Sequence, residues 1–149
     1  MNQIEEHIFS KMPYGKEFLF LDEISYVDHE QIVGKYHFNN THSFYQSHFK
    51  HFPVTPGVIL VECMGQTGLV AHGIFLLGEK LKTQFIKPIL IHTDSEFFKA
   101  VFPETTVRIV SNKLFFRNNH LRSKIIMYND NNSEIIARTD SLIKFDLNE

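Results

Sequence analysis

The stretch SHFKHFPVTPGVILVECMGQTGLV, residues 47–70, decides how the rest of this sequence is interpreted. Its second half is almost wholly apolar and reads as a helix, yet one carboxylate, Glu62, lies in the middle of it. A charged side chain in apolar surroundings is costly unless it is paired or neutralised. The ordinary alternative is a helix residue that reaches solvent or pairs with a lysine. Because both neighbouring helical turns are apolar, the pattern favours a functional carboxyl group.

The helix that carries Glu62 is predicted to begin near the Pro-Gly step. Thr55 suits the N-cap, and Pro56 suits the first helical turn. From Val58 to Leu77 apolar residues fall on nearly every face, which is typical of a buried helix. Gly78 is a natural stop. Three further glycines are poor helix formers, and their expected use is the close approach of another backbone: Gly65, Gly68 and Gly73.

The segments around this helix predict an antiparallel sheet. IEEHIFSKM predicts a short N-terminal helix ended by Pro13, and FLFLDEISYVD with IVGKYHFN predicts a hairpin that turns at DHEQ. The second half contains QFIKPILIH and SEFFKAVF, which read as two strands or as one long bent strand, then TTVRIVSNKLFF, HLRSKIIMYN and EIIARTDSLIKF. This order predicts an α+β fold, with the sheet wrapped around the long helix, as a single domain over residues 1–149.

Composition excludes several classes of protein. A net charge of -2 argues against nucleic-acid binding, which depends on a basic surface. The single cysteine, Cys63, excludes an internal disulfide and a cysteine zinc cluster. The N-terminus is too acidic and polar for a signal peptide, and Glu62, Gln66 and His72 interrupt the best candidate for a membrane span of roughly 18 apolar residues. We expect a soluble, cytoplasmic protein.

Residues 47–70 contain side chains suited to three kinds of chemistry: metal binding, nucleophilic attack and acid–base catalysis. His48 and His51 have an H-x-x-H spacing, but an extended loop does not place both rings on one side, and no third metal ligand is fixed by the sequence. Cys63 adjoins Glu62, but it points about 100° away around the helix, and a buried cysteine is usually inert. The third reading is acid–base chemistry by His48 and Glu62, with Gln66 one helical turn further on to orient the carboxyl group. We expect no metal.

The segment HFKHFPVTPGVILVECMGQ resembles the active-site segment of the β-hydroxyacyl-acyl carrier protein dehydratases, the FabA/FabZ type of hot-dog fold. That family reads His-Phe, a short turn, Pro-Val-x-Pro-Gly, then an apolar helix with a carboxylate and a downstream glutamine. Elsewhere FLFLD resembles the family's first strand, and SEFFKAVFPETTVRI resembles a strand region in the middle of the chain. The matching positions in the active-site segment are His48, Phe49, Pro53, Val54, Pro56, Gly57, Glu62 and Gln66.

The resemblance implies the dehydration of a 3-hydroxyacyl thioester on acyl carrier protein, without a cofactor. His48 would be the base, oriented by the carbonyl group of Val54. Glu62 would be the acid, with a pKa raised by burial and a geometry held by Gln66. Gly57 opens the helix, so its N–H would bind the thioester oxygen. The resemblance also implies a homodimer, or a trimer of dimers, in which the histidine of one subunit faces the carboxylate of the other.

The chain departs from the family pattern in ways that concern the substrate. His51 and Phe52 stand where Gly and a polar residue are common, Ser47 stands where Gly precedes the histidine, and MPYGKEFLFLD lacks the usual basic-aromatic-proline run. Glu62 in place of Asp favours the FabZ side. The pathway is fatty-acid synthesis or, as the altered turn suggests, a specialised one such as polyene or polyketide synthesis. Four aromatic residues are expected either to line an acyl channel or to pack in the core: Phe44, Tyr45, Phe49 and Phe52.

Two other functions remain open at this point. One is another hot-dog activity on acyl thioesters, namely a thioesterase or an enoyl hydratase. The other is a non-catalytic acyl-binding subunit, against which the presence of both His48 and Glu62 argues.

Overall fold

The computed structural model of the chain describes residues 1–81 and 84–148, with the backbone alone at 148, so residues 82, 83 and 149 of the predicted domain lie outside the described residues. The helices are α1 (Gln3–Lys11), a long central helix (Gly57–Leu81), and short 3₁₀ turns at Lys16–Phe18 and Ser43–Gln46. The strands are β1 (Glu23–Val27), β2 (Gln31–Phe38), β3 (Phe85–Phe97), β4 (Thr105–Arg117), β5 (His120–Asn129) and β6 (Ile135–Asn148).

Within the described residues the six strands form one antiparallel sheet in the order β1-β2-β4-β5-β6-β3. Alternate side chains of its inner strands are buried, as expected where one face of a sheet covers a core. The central helix contributes the other half of that core. The predicted α+β hot-dog architecture, a sheet wrapped around a long helix, is confirmed.

The central helix is long and apolar enough to cross a membrane by length and composition, contrary to the sequence argument that its polar residues exclude this. Yet 67% of its most apolar stretch is buried inside the fold. Its partners are the inward side chains of the sheet, so its apolarity is explained by core packing.

The predicted start of the helix is wrong by one residue. Pro56, and not Thr55, occupies the N-cap, and its carbonyl group accepts hydrogen bonds from the N–H groups of Ile59 and Leu60. The Thr55 hydroxyl instead contacts the Tyr45 hydroxyl at 2.5 Å. The predicted stop is confirmed for the α-helical part of the central helix, which ends at Leu77. Gly78 has a φ of +50°, a conformation that favours glycine, and Gly78–Leu81 follows as a 3₁₀ turn.

The middle of the central helix is wound more loosely than its ends. Gln66–Ala71 forms a π-helical turn between the α-helical stretches Gly57–Gly65 and His72–Leu77. Such turns are rare and are often found at functional sites. Here the turn begins at the glutamine that was predicted to hold Glu62.

Side chains, and not another backbone, pack against Gly68 and Gly73 of the central helix. The prediction that the helix glycines allow the close approach of another backbone is therefore wrong. A Cβ atom added to Gly68 would lie 2.5 Å from Cδ1 of Ile125 and 2.7 Å from the hydroxyl of Ser111. A Cβ atom on Gly73 would overlap the ring of Phe145. Gly65 differs, because its nearest neighbouring atom would be Cδ1 of Leu69 at 3.9 Å.

The segment before β1 is not the strand that FLFLD was expected to form. The strand begins only at Glu23, and Phe20 and Leu21 enter the core from an irregular segment. This segment crosses the central helix, since the backbone N–H of Phe20 donates to the side chain of Gln66.

The segments QFIKPILIH and SEFFKAVF were expected to form two strands or one long bent strand. The structure has a single strand there, β3, with an irregularity in its pairing between Leu90 and His92. Within the described part of the chain it pairs only with β6, so its outer edge is open. Five large apolar residues of this edge strand are between 44% and 56% exposed: Phe85, Ile89, Leu90, Ile91 and Phe97. A long apolar edge strand is a surface that proteins normally cover.

His72 is a fully buried polar residue of the central helix. Its Nε2 atom donates to the backbone carbonyl group of Asp28 at 2.8 Å, while its Nδ1 atom has no partner among the described residues. Protonation would therefore create a buried N–H without an acceptor. Burial lowers the pKa of His72 and outweighs the hydrogen bond to Asp28, which raises it; the charge of Lys113 lowers the pKa further, and the charges of Asp28 and Glu30 raise it slightly.

We predict opposite stability changes for two glycine-to-alanine substitutions in the central helix. Gly68→Ala lowers the free energy of unfolding by about 1–3 kcal/mol, because its Cβ atom overpacks the contact with Ile125. Gly65→Ala, the matched control, raises it by up to about 1 kcal/mol, because alanine favours the helix and the site is open. Urea unfolding of both variants measures this, and equal changes would contradict the packing explanation.

We further predict that acid weakens the fold through His72. The pKa of His72 is lower in the folded than in the unfolded state. Below about pH 6.5, the ordinary pKa of histidine, the unfolded chain therefore binds more protons, and the free energy of unfolding decreases as the pH is lowered. His72→Gln, which keeps an N–H donor, should show a flatter decline in the urea midpoint between neutral and mildly acidic pH. The exposed His51→Gln serves as the control and should follow wild type. An unchanged decline in His72→Gln would exclude His72 as the cause.

Candidate active site

His48 lies on the loop before the central helix and is half-buried. Its Nδ1 atom is 2.8 Å from the carbonyl oxygen of Val54, and the N–H of Val54 donates back to the carbonyl group of His48 at 3.0 Å. A carbonyl oxygen only accepts, so Nδ1 carries the proton and the Nε2 atom of a neutral ring keeps its lone pair. The contact between His48 and Val54 expected from the resemblance is thus present, and the histidine presents a basic nitrogen.

The loop around His48 is held by contacts at both ends. The peptide bond between His48 and Phe49 is cis, and the two rings stack with centroids 4.0 Å apart. After the turn, the N–H of Thr55 donates to the carbonyl group of Val101 at 2.8 Å. This last contact fixes the position from which the central helix starts.

Gly57 is the first residue of the central helix. N–H groups in a first helical turn have no partner within the helix, and the helix dipole makes this end favourable for negative charge. A cavity of about 350 Å³ opens beside it, lined by residues of the helix start and of the chain after β3: Thr55, Gly57, Leu60, Phe97, Phe98, Lys99 and Ala100.

Glu62 is half-buried and is held by the neighbouring helical turn. The amide nitrogen of Gln66 donates to Oε1 of Glu62 at 2.9 Å. The same nitrogen donates to the carbonyl group of Phe18 at 2.9 Å, and the amide oxygen of Gln66 accepts from the N–H of Phe20 at 2.7 Å. These main-chain contacts fix which end of the Gln66 amide faces Glu62, so the carboxyl group is oriented by a rigid donor.

Tyr14 lies near Glu62 and lines the same cavity, and sequence reasoning missed it. Burial raises the pKa of Tyr14, and the neighbouring Glu62 carboxylate raises it further, so the phenol keeps its proton. The only signal in the sequence was the departure of MPYGKEFLFLD from the family pattern, and nothing in that segment pointed to residue 62.

A mainly apolar cavity of about 220 Å³ lies beside Glu62. It is formed by the central helix, β3, β6 and Tyr14: Tyr14, Val61, Glu62, Gly65, Leu69, Val70, Pro88, Leu90, Ser141 and Ile143. His48 is not among these residues. Within one chain the structure therefore joins Glu62 to Gln66, and His48 to Val54, without bringing both pairs to one cavity.

The aromatic residues near His48 do not line the cavity at Glu62, contrary to one of the two expectations. Tyr45 is buried, and Phe44 packs against the core and stacks on His42. Phe49 and Phe52 are exposed on the loop. The cavity at Glu62 is instead lined mainly by aliphatic side chains of the central helix and the sheet.

The alternative chemistries find no support in the geometry. Cys63 is fully buried, its thiol faces the carbonyl group of Phe20 at 3.4 Å, and burial raises its pKa, so it stays protonated. Among residues 1–81 and 84–148, no three side chains of His, Cys, Asp or Glu are placed to hold a metal ion.

The sequence and the fold of this chain were compared with those of known proteins. The model of the family described as FabA-like domain matches residues 12–137. The 3-hydroxyacyl-[acyl-carrier-protein] dehydratase FabZ of Clostridium perfringens is 31% identical over 112 residues, which cover 73% of each chain.

Two solved structures share the fold at low sequence identity. The dehydratase heterocomplex ApeI:P from Xenorhabdus doucetiae has a TM-score of 0.75 at 11% identity, with 92% of this chain and 89% of that chain covered. Thioesterase HI1161 from Haemophilus influenzae has a TM-score of 0.59 at 13% identity, with 83% and 77% covered. Such identities show the fold alone. The family model and the identity to FabZ carry the assignment, and the chain belongs to the FabA/FabZ-type dehydratase family.

Proposed function

We propose that this chain removes water from a 3-hydroxyacyl thioester on acyl carrier protein and releases the trans-2-enoyl thioester. The observation that carries the proposal is the Glu62 carboxyl group, oriented by Gln66 at the wall of an apolar cavity, in a chain of the FabA/FabZ type. A carboxyl group in such a place is suited to general acid chemistry on a bound acyl chain.

The dehydration needs a base for the proton on the α-carbon. In the proposal this base is the Nε2 atom of His48, which the Nδ1 contact with Val54 leaves with its lone pair. A neutral imidazole is a common general base in enzymes that work near neutral pH.

The β-hydroxyl leaves as water and needs a proton, which Glu62 donates in the proposal. Its hydrogen bond to Gln66 holds the carboxyl group, and the cavity beside it is mainly apolar. When an acyl chain fills this cavity and displaces water, the proton has few competing destinations, so transfer to the leaving oxygen is favoured.

Negative charge develops on the thioester oxygen when the α-proton leaves. The N–H of Gly57, at the first position of the central helix, is proposed to bind this oxygen. A helix N-terminus supplies both an N–H donor and a favourable dipole, without rearrangement during the reaction.

The active site is proposed to form between two copies of the chain. Two observations support this arrangement: His48 does not line the cavity at Glu62, and the edge strand β3 exposes apolar residues on an open edge. Pairing of the two β3 edges would cover that surface and bring His48 of one subunit towards Glu62 of the other. The oligomer is then a homodimer, or a trimer of such dimers.

The proposed partner is an acyl carrier protein, and the proposed location is the cytoplasm. A single buried, free cysteine and a core position for the apolar helix are compatible with that compartment. The altered turn at His51 and Phe52 lies beside His48, where it would shape the entrance for a specialised acyl chain.

We predict that His48→Ala and Glu62→Gln each fold but lose about 10²–10⁴-fold in turnover, the range typical of general acid–base groups. Mass spectrometry of a 3-hydroxyacyl carrier protein measures this, because dehydration removes one water and leaves the thioester intact. The matched control is His120→Ala, a histidine at the start of β5 that lines neither cavity of the site and whose Nδ1 atom likewise contacts a backbone carbonyl group, that of Asn118.

Two results would contradict this proposal. Loss of the whole acyl group from the carrier would indicate a thioesterase. Near-normal dehydration in either site variant, at unchanged thermal stability, would remove that residue from the mechanism.

The shared site predicts that the two inactive variants restore each other. When His48→Ala and Glu62→Gln chains are unfolded and refolded together, random pairing gives roughly half heterodimers. Each heterodimer has one site without either group and one site with both, so activity should return to roughly a quarter of wild type.

Refolding each variant alone is the control for this recovery. If both residues act within one chain, every site in the mixture lacks one group, and activity stays at the level of the single variants. That result, with exchange of mass-tagged subunits demonstrated, would exclude the shared site and leave the acid–base roles intact.

A further inference from the structure

We infer that Tyr45 and Thr55 are positioning residues for the proposed reaction, which hold His48 in place through a hydrogen bond between their hydroxyl groups. The inference rests on the proposed function, because it takes the Nε2 atom of His48 as the base. It adds two residues to the site that carry no part of the proton transfer themselves.

The contact between Tyr45 and Thr55 lies inside the protein. Their hydroxyl oxygens are 2.5 Å apart, and either group can be the donor. The two residues are only 6% and 4% exposed. Removal of one oxygen would therefore leave the other hydroxyl group buried without this partner, which is costly. We call this contact the hydroxyl bridge.

The hydroxyl bridge joins the two ends of the loop that carries His48. Tyr45 lies three residues before His48, and Thr55 directly follows Val54. Within the loop, the N–H of Val54 donates to the carbonyl group of His48 at 3.0 Å, and the N–H of His48 donates to the carbonyl group of Phe44 at 2.9 Å. The bridge thus closes a short loop whose backbone contacts all involve His48.

Thr55 lies between the two backbone groups that the proposed mechanism uses. On one side, the carbonyl group of Val54 accepts from Nδ1 of His48 at 2.8 Å. On the other side, Gly57 opens the central helix two residues later, and it lines the same cavity as Thr55. The N–H of Thr55 donates to the carbonyl group of Val101 at 2.8 Å. This main-chain contact fixes one point of Thr55, and the hydroxyl bridge fixes a second.

The carbonyl group of Val54 determines which nitrogen of His48 is basic. A neutral imidazole carries one proton, and the hydrogen bond of one nitrogen decides where that proton lies. The contact with Val54 keeps the proton on Nδ1 and leaves the lone pair on Nε2. In a loose loop this contact would be made only part of the time. Some molecules would then carry the proton on Nε2, where the ring cannot act as the proposed base.

The ring of Tyr45 has packing contacts of its own, which do not depend on the hydroxyl group. Its centroid lies 4.7 Å from that of Phe44 and 6.3 Å from that of His42. These contacts are made by the ring and would persist in phenylalanine. Removal of the oxygen alone therefore tests the hydroxyl bridge separately from the aromatic packing around it.

The test uses Tyr45→Phe and Thr55→Val, each of which removes one hydroxyl group and nearly keeps the shape of the side chain. We expect kcat to fall about 10- to 100-fold with KM within about twofold of wild type, because a small misplacement of a catalytic group lowers turnover more than binding. Thr55→Ser keeps the hydroxyl group and should retain most of the turnover.

Nitrogen NMR of protein labelled at histidine measures the position of the proton directly. The signals of His48 are identified by their loss in His48→Ala. At a pH where the ring is neutral, wild type should carry the proton on Nδ1, and both bridge variants should show a mixture of the two tautomers. A substitution that only lowers stability would not change the tautomer in a chain that remains folded.

Two controls accompany these variants. Tyr26→Phe removes a phenol that contacts Asp28 at 2.5 Å on the exposed hairpin of β1 and β2, and it should change neither kcat nor the tautomer. The double variant of Tyr45→Phe and Thr55→Val strands no buried hydroxyl group, so it should unfold at a higher temperature than either single variant. Its kcat should nevertheless stay at the level of the lower single variant, because both substitutions remove the same bond.

The inference and the proposed function fail in different ways. Wild-type kcat or an unchanged tautomer in folded Tyr45→Phe and Thr55→Val would overturn the inference, while His48 stays the base. Recovery of kcat together with stability in the double variant would also overturn it, because the bridge would then be a packing contact only. Near-normal dehydration by His48→Ala would overturn the proposed function instead, whatever the tautomer.

Discussion

The amide of Gln66 is the contact on which the arrangement of this molecule depends. It is fully buried, and a buried amide is costly unless its donors and its acceptor are paired. Here Phe18, Phe20 and Glu62 supply all three partners. The requirement places the segment before β1 across the central helix and at the same time fixes the carboxyl group. A π-helical turn begins at this residue, so the winding of the helix changes where these demands meet.

The sheet and the central helix stabilise each other because their apolar faces pack together. An apolar helix must be covered by other apolar side chains, and the buried face of the sheet supplies much of this cover, with close fits at Gly68 and Gly73. The cavity at Glu62 lies between the helix and the strands β3 and β6. The site is therefore placed where the cover of a single chain is incomplete. A substrate that must enter and leave needs such a gap in an otherwise dense core.

Much of this could be predicted from the sequence, because it depends on local patterns. Periodicity gave the central helix and the strands, Gly78 gave the helix end, and the lone carboxylate in an apolar run pointed to Glu62. The Thr55 cap was wrong because Tyr45, distant by ten residues, binds its hydroxyl. Tyr14 was missed because Glu62, which lines the same cavity, is 48 positions away in the sequence. Contacts of this kind follow from the tertiary fold, which local propensity does not encode.

The same gap lies beside the open edge of the sheet, which is why the proposed site is shared between two chains. The edge strand leaves apolar side chains and backbone groups open beside the cavity that contains Glu62, and His48 lies on a loop that does not reach this cavity. A lid within the chain would cover the edge but would not supply a base. In the proposed homodimer a second copy related by a two-fold axis would supply both, since each subunit would bring its His48 loop to the Glu62 cavity of the other. On the proposed mechanism, covering the edge strand and completing the acid–base pair are one event. A chain that failed to pair would then have neither a protected edge nor a working site.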